Sequence, residues 1–417
     1  MQIRLRNWPF LISLAFTLLL LVAYFVRNPT ISTYGRVRLK RSCILLNNKN
    51  LSEFEIQDLI RDFGSVFDFE RNECLIIKPV IYQIYEWEVA SRSLLQYDQE
   101  FKLKIQHWLA KSSIYRTAES EFQRQVISTV YNKWTRTMTA RNPLRSKKPT
   151  NTTIKTDRLI QSIEVQSKDC DFCRGNYAKD IPLSNQRVIV AANAFKLQDF
   201  NALFIFKQHN PLKLTYEDYA ALFQLANQWF ALASKSSKYG HDHPMISWDS
   251  LPPSGGSQVH GHMHGFLGRG HQLGRFRGYQ DARRLYAQAY SGFDLTQDLI
   301  NVHVALGLAF RVGSIAVVSP LDPICNHELM IFSPQVDDYF AEMVYLLHRT
   351  FIDELQVLSW SSAISWPTDG DLAKLVIGAR SEKYPVSSME LYLFSSVTSN
   401  PYETIEAAQR ALLRMSR

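Results

Sequence analysis

The chain has 417 residues, 46% of them hydrophobic and 21% charged, with a formal net charge of +8. This is the composition of a globular protein with a large core, long enough for two or three domains. The charge favours anionic partners such as phosphates or membrane surfaces. No zinc-finger array, long Arg/Lys tract or RNA-binding aromatic pattern is present, so nucleic acid is not expected. Five cysteines, an odd number in a long chain, exclude a disulfide scaffold.

Residues 8–26, "WPFLISLAFTLLLLVAYFV", hold 19 positions without a charge, enough to span a bilayer as a helix. Arg27 follows directly and no small-x-small cleavage site is present, which predicts an uncleaved single-pass anchor, with a cleaved signal as the alternative. Basic residues flank both sides, with more after the span (Arg27, Arg36, Arg38, Lys40, Arg41) than before it (Arg4, Arg6). That bias predicts a cytosolic body, with an ER or Golgi lumen as the alternative; the sequons at Asn50 and Asn151 would matter only in a lumen.

Residues 27–50 read as a juxtamembrane linker. Residues 51–150 read as a mostly helical region, because apolar and aromatic residues recur at three- and four-residue steps. The stretch 139–153, "TARNPLRSKKPTNTT", breaks that pattern and marks a boundary. From residue 187 the texture changes. "RVIVAANAF" and "FNALFIFKQHN" read as strands, "TYEDYAALFQLANQWFALASK" as a helix capped by Thr215, and "HPMISWDS" as a further strand.

Then comes "SGGSQVHGHMHGFLG", residues 254–268. In a strand, His260, His262 and His264 share one face, while Val259, Gly261, Met263 and Gly265 share the other. Two glycines on the back face predict close packing behind it. Three of eleven histidines within five positions are a poor match to chance. A metal or catalytic row explains them better than a solvated edge strand, because imidazole binds metals and titrates near neutral pH. Cys170 and Cys173 form a C-x-x-C pair, which alone fits a zinc site, a redox pair or two buried thiols.

The strand, strand, helix, strand, strand unit recurs between residues 313 and 381, ending in "AKLVIGARS", which lacks histidine. An internal duplication in which one copy kept the chemistry is expected; two unrelated α+β segments are the alternative. The predicted fold is α+β: an N-terminal transmembrane helix, a helical region, a catalytic repeat over 151–290 and a degenerate second repeat over 291–417, with antiparallel sheets.

The order "CDFCRGN", a strand ending in His209, and "GGSQVHGHMH" resembles galactose-1-phosphate uridylyltransferase and its relatives in the histidine-triad superfamily. The resemblance covers about residues 170–268. It implies a Zn2+ held by Cys170, Cys173, His209 and His260, a donor set typical of a structural site. It implies that His262 attacks an α-phosphorus to form a nucleotidyl-histidine, with Ser257, Gly255 and Gly256 around the phosphates and Asn193 and Phe195, more loosely, on the nucleoside side. The sequence departs from the uridylyltransferase pattern in three places: "SLPPSGG" stands where that pattern has a Gly- and Ala-rich stretch, and two single residues differ. His264 stands where that pattern has Gln, and a third histidine serves the leaving group in the hydrolase branch. Asp249 stands where it has Asn. His241 and His243 offer rival ligands and read as strand-start residues.

The implied activity is transfer of a nucleoside monophosphate to a sugar phosphate or to inorganic phosphate. A phosphorylase or hydrolase of nucleotide sugars or dinucleoside polyphosphates is the alternative, and a membrane-anchored nucleotide-binding protein without catalysis is a second. Expected partners are a nucleotide or nucleotide-sugar substrate and a membrane; a homodimer is left open.

Overall fold

The computed structural model describes residues 41–46, 50–93, 98–110, 124–147, 156–367, 373–379 and 393–415. Its strands are β1 Tyr85–Ser93, β2 Arg124–Asn132, β3 Met138–Arg141, β4 Val188–Ala192, β5 Asn201–Phe206, β6 His241–Asp249, β7 His262–Arg269, β8 Ala309–Val312, β9 Ile315–Val318, β10 Asn326–Ser333, β11 Ser361–Ser365, β12 Ala373–Ala379 and β13 Ser395–Val397. They form a four-stranded sheet, β1-β2-β3-β13, and a nine-stranded sheet, β4-β5-β7-β6-β11-β12-β10-β9-β8. All pairings are antiparallel except β3 with β13. The architecture is mixed α+β.

The large sheet has an internal symmetry of connectivity. Reading outward from its centre, the first half runs β6-β7-β5-β4 and the second β11-β12-β10-β9. Each half therefore places its third, fourth, second and first strands in the same order. One long helix follows the second strand in each, Tyr216–Ser236 in the first half and Asp338–Arg349 in the second. The halves join where β6 pairs β11, Ile246 against Ile364 and Trp248 against Ser362.

Helix Tyr216–Ser236 begins where the sequence indicates. Thr215 caps it, and the Thr215 amide donates to Asp218 Oδ2 at 2.8 Å, closing a capping box. Its inward residues, Tyr219, Leu222, Phe223, Leu225, Ala226, Trp229, Phe230 and Ala233, recur at helical spacing and are buried. Across the seam, Tyr219 Oη meets His348 Nδ1 at 2.7 Å and His348 Nε2 meets Ser362 Oγ at 3.0 Å. Burial pushes His348 down to about 3, so this buried imidazole is neutral and its hydrogen bonds satisfy both ring nitrogens.

Three expectations are corrected. Residues 85–93, 124–132 and 138–141 are strands, not helix: Tyr85, Trp87 and Val89 alternate with exposed Glu86 and Glu88, a period of two that fits a half-buried sheet. Cys43 and Cys74 form a disulfide, which the cysteine count did not anticipate. The expected membrane placement with a cytosolic body is also overturned. Among the described residues no helix is long and apolar enough to cross a membrane. The segment 8–26 and the sequon at Asn151 lie outside the described residues. The disulfide itself belongs to oxidising environments rather than the cytosol.

Helices Gly274–Ala289 and Leu295–Ala305 share a polar seam. Tyr279 Oη pairs Thr296 Oγ1 at 2.9 Å, Arg283 donates to Asp294 at 2.6 Å, and Tyr286 Oη donates to Asp298 Oδ2 at 2.7 Å. Burial pushes the Asp298 carboxyl up to about 6, Tyr286 opposing it and Asp294 adding to it. A carboxyl raised in the folded state favours folding while protonated, and that contribution is lost as pH rises from about 4 through about 6. Asp298→Asn keeps an acceptor for Tyr286 and removes the buried charge. It should therefore raise stability at pH 7.5 by roughly 1–3 kcal/mol, the gain shrinking below pH 6. Urea denaturation at both pH values checks this; equal stability at pH 7.5 would refute it.

Candidate functional site

The site is built on one face of the first half of the large sheet. β5 ends at Phe206, and the turn after it carries His209. β7 runs antiparallel beside β5, with Leu203 opposite His264 and Ile205 opposite His262. The alternation expected for the histidines holds. His260 and His262 are buried and His264 is half-buried. Behind the row, a Cβ on Gly265 would lie 2.5 Å from the Phe204 ring and one on Gly261 3.3 Å from the Phe206 ring. These contacts are the close packing that the two glycines imply.

Cys170 precedes and Cys173 lies within the short helical turn Asp171–Arg174, which ends on Gly175 at φ 76°. That turn brings both thiols to the row. Cys170 Sγ lies 3.3 Å from His260 Nδ1, Cys173 Sγ 3.4 Å from both His260 Nδ1 and His209 Nδ1, and the two Nδ1 atoms are 3.2 Å apart. The outer ring nitrogens are committed elsewhere. His209 Nε2 donates to Ile163 O at 3.0 Å and His260 Nε2 to Phe206 O at 2.5 Å. Each imidazole thus carries its proton on Nε2 and its lone pair on Nδ1, so two nitrogen lone pairs and two sulfurs converge on one point. Lone pairs face one another in this way around a cation, and the carbonyl-bound outer nitrogens are the usual support of metal-ligating histidines. The four residues form a group that can hold a metal ion. Burial, with Cys170 adding to it, pushes the Cys173 thiol up to about 11, so without a cation that thiol stays protonated; a bound cation reverses that preference.

His262 stands next along the row. Its Nδ1 donates to the His260 carbonyl at 2.8 Å, which leaves the Nε2 lone pair free. Burial pushes this imidazole down to about 4, so it is neutral at pH 7. Phe172 packs edge-on against it, ring centroids 5.2 Å apart. Ala191, Leu203 and Ile205, with Phe172 and Tyr177 against them, form an apolar patch beside the row.

A search for similar solved structures gives an ADP-glucose phosphorylase from Arabidopsis thaliana with bound ADP-glucose: TM-score 0.53, 12% identity, covering 68% of this chain and 98% of that one. At that identity the likeness is one of fold: the chain is folded like that phosphorylase. A uridylyltransferase structure aligns at TM-score 0.46 and 12% identity over 55% of this chain and 86% of that one. A yeast Ap4A phosphorylase in complex with AMP aligns at 0.32 and 14% over 75% and 92%. No protein-family model and no curated protein sequence matches. Neither membrane anchoring nor a homodimer finds support in these comparisons.

Within this fold the remaining expected residues fall as follows. Ser257, Gly255 and Gly256 lie in the turn before β7. Gly255 takes φ 105°, and the Gly255 and Gly256 amides donate to Pro252 O and Leu251 O. Asn193 closes the loop after β4: its Nδ2 donates to Asn201 Oδ1 at 3.0 Å and its Oδ1 accepts the Phe195 amide at 3.0 Å. The Phe195 ring is 87% exposed, free for a partner to cover. His241 and His243 open β6, where they meet Ser237 Oγ at 2.7 Å and Asp242 Oδ1 at 2.6 Å, apart from the Cys/His group. Sequence reasoning missed Phe172, whose contacts depend on how the C-x-x-C turn folds onto the row, and Ser361, which comes from the other half of the sheet.

Gly265→Ala should destabilise the protein by about 1–3 kcal/mol, the usual cost of overpacking, because the new methyl meets Phe204. Chemical denaturation checks this. A further Phe204→Leu change should recover part of the loss, and a neutral Gly265→Ala would refute the close-packing account.

Proposed function

We propose that this protein is a nucleotidyl-transfer enzyme of histidine-triad type. It moves a nucleoside monophosphate, through a covalent nucleotidyl-His262, from a nucleotide sugar or dinucleoside polyphosphate to a phosphorylated acceptor. The observation that carries this reading is the state of His262: a neutral imidazole with Nδ1 committed to the His260 carbonyl and Nε2 unencumbered, the tautomer a nucleophile needs. The apolar patch of Ala191, Leu203 and Ile205 beside it suits a nucleoside. The repeated strand order supports a duplicated histidine-triad unit of which the first copy carries the chemistry.

The acceptor is a sugar 1-phosphate, as in the uridylyltransferases, or inorganic phosphate, as in the phosphorylases; the same covalent step serves both. His264 lies beside His262, ring centroids 5.2 Å apart, in position to serve the leaving group.

Zinc is the metal that suits the four donors. Zn–S near 2.3 Å and Zn–N near 2.0–2.1 Å give tetrahedral edges of about 3.3–3.8 Å, close to the 3.2–3.4 Å separations here. Held by Cys170, Cys173, His209 and His260, with no open position, it would tie the C-x-x-C turn to β7. His260 would then present its carbonyl to His262 in a fixed orientation.

Two outcomes are expected. Incubation with α-phosphorus-labelled nucleotide sugars and dinucleotides, with and without phosphate, should label the wild-type chain. A phosphorus–nitrogen adduct is lost on brief acidification and stable to base. His262→Ala should lose both label and turnover while keeping its fold, and persistent labelling would mean that the nucleophile is another residue. Metal analysis should find one zinc per chain. Cys170→Ser should lose it together with folding yield, since binding at such sites is coupled to folding; a zinc-free native protein would refute the assignment.

A further inference from the structure

His264 is the one member of the row whose environment the transfer reaction leaves unexplained. Its Nδ1 is buried and has no hydrogen-bond partner. A buried donor without a partner calls for a ligand, since an unmade hydrogen bond there is costly. The groups around it come from three strands. β5 presents Leu203 directly opposite, which carries no charge. β7 itself presents His262 and, on the far side, Phe266, stacked at 6.3 Å. β6 presents Ser247 directly opposite and, two residues on, Asp249. Tyr177 lies against the neighbouring apolar patch.

Asp249 is held in place by the other half of the molecule. It pairs in register with Ser361 of β11, and Ser361 Oγ donates to Asp249 Oδ1 at 2.7 Å. The turn before β7 lies over the same carboxylate: a Cβ on Gly255 would sit 3.6 Å from Asp249 Oδ2, and one on Gly256 only 2.8 Å from the Asp249 carbonyl. The carboxylate is thus fixed beside the row where phosphates are proposed to bind. An unpaired anion there would repel them.

We infer that Asp249, oriented by Ser361, is the positioning residue that favours the cationic, proton-donating form of His264. This rests on the proposed transfer through His262. In the first half-reaction the His262 Nε2 lone pair bonds to the α-phosphorus and the phosphorus–oxygen bond to the leaving group breaks. The leaving oxygen keeps that electron pair and takes the Nδ1 proton of His264, which becomes neutral; the proton is restored from solvent or from the incoming acceptor. Burial lowers the pKa of His264, and Asp249 is the charge that opposes this. The second half of the sheet, which lacks the histidines, contributes to the site through Ser361.

The first test needs no substrate. In the full chain with carbon-13-labelled histidine rings, His264 is assigned by the loss of its signal in His264→Gln, and its titration is followed by NMR. Asp249→Asn, which restores the uridylyltransferase residue, should lower the midpoint by about one pH unit, Ser361→Ala should lower it by less, and Asp249→Glu should restore it. A midpoint unchanged in Asp249→Asn overturns the inference. The second test uses α-phosphorus-labelled ADP-glucose and the p-nitrophenyl ester of AMP, whose leaving group needs no proton. Asp249→Asn should slow labelling by ADP-glucose about tenfold at pH 8, shift the alkaline limb of the pH profile downward, and leave labelling by the ester unchanged. In a His264→Gln background it should have no further effect. Equal slowing with both compounds overturns the inference. If the wild-type chain is labelled by neither compound nor by any other nucleotide, the transfer reading fails instead, and the titration still decides whether Asp249 governs His264.

Discussion

The arrangement depends on His260. Its Nε2 donates to the Phe206 carbonyl at the end of β5, its Nδ1 faces the two thiols and His209, and its own carbonyl accepts the Nδ1 proton of His262. One residue therefore connects β5, the Cys/His group and the tautomer of its neighbour. A ring held at both nitrogens cannot rotate, so the peptide that carries it is fixed as well. The hydrogen bond that frees His262 Nε2 inherits that rigidity. A structural metal at the Cys/His group would act on the chemistry in this indirect way, by making the His260 carbonyl a stationary acceptor.

The pairing of β6 with β11 is the second constraint. It makes two four-stranded units into one continuous sheet, and it is backed by a dense aromatic seam. Trp248 packs edge-on against His348 and Trp360, and His348 bridges Tyr219 and Ser362. With no edge strand at the junction, the second half can contribute to the first at atomic precision, as Ser361 does toward Asp249. The strand equivalent to β7 in the second half, β12, carries no histidine. That half has the same strand order and brings Ser361 to Asp249.

Much of the site was legible in the sequence because its signals are local. Alternation along a strand put three imidazoles on one face, and glycines between them implied a crowded back face; both follow from the period of two and need no tertiary knowledge. The helix after Thr215 was legible from its cap and its three- and four-residue apolar steps. The strands β1 and β2 were misread for a physical reason. They lie in a stretch with true helices on either side, such as Asn72–Ile84 and Gln99–Ala110, and their alternation of Tyr85, Trp87 and Val89 with Glu86 and Glu88 was averaged into the longer pattern. The Asp249–Ser361 contact joins residues 112 apart, and the Cys43–Cys74 bond depends on two segments that meet only in the folded chain. Neither leaves a periodic trace.

The cysteines illustrate how geometry, not count, sorts one residue type into two chemistries. Cys43 sits on a segment that the second half holds: its amide donates to Ala305 O at 2.7 Å, and Ser42 Oγ reaches the same carbonyl at 3.2 Å. Its bond to Cys74 closes a loop with a sequence separation of 31. In the chain-entropy picture such a closure stabilises the fold by about 3–4 kcal/mol, and here it anchors the N-terminal helices to the helix Leu295–Ala305. Cys170 and Cys173 are closer in sequence, yet they remain free thiols, each within reach of an imidazole Nδ1. Where a chain forms one disulfide, a free dithiol elsewhere in it needs protection from oxidation. Coordination does that, because thiolates bound to a closed-shell cation are no longer free nucleophiles. In an oxidising environment a metal at the Cys/His group would therefore guard the dithiol as well as hold the geometry of the site.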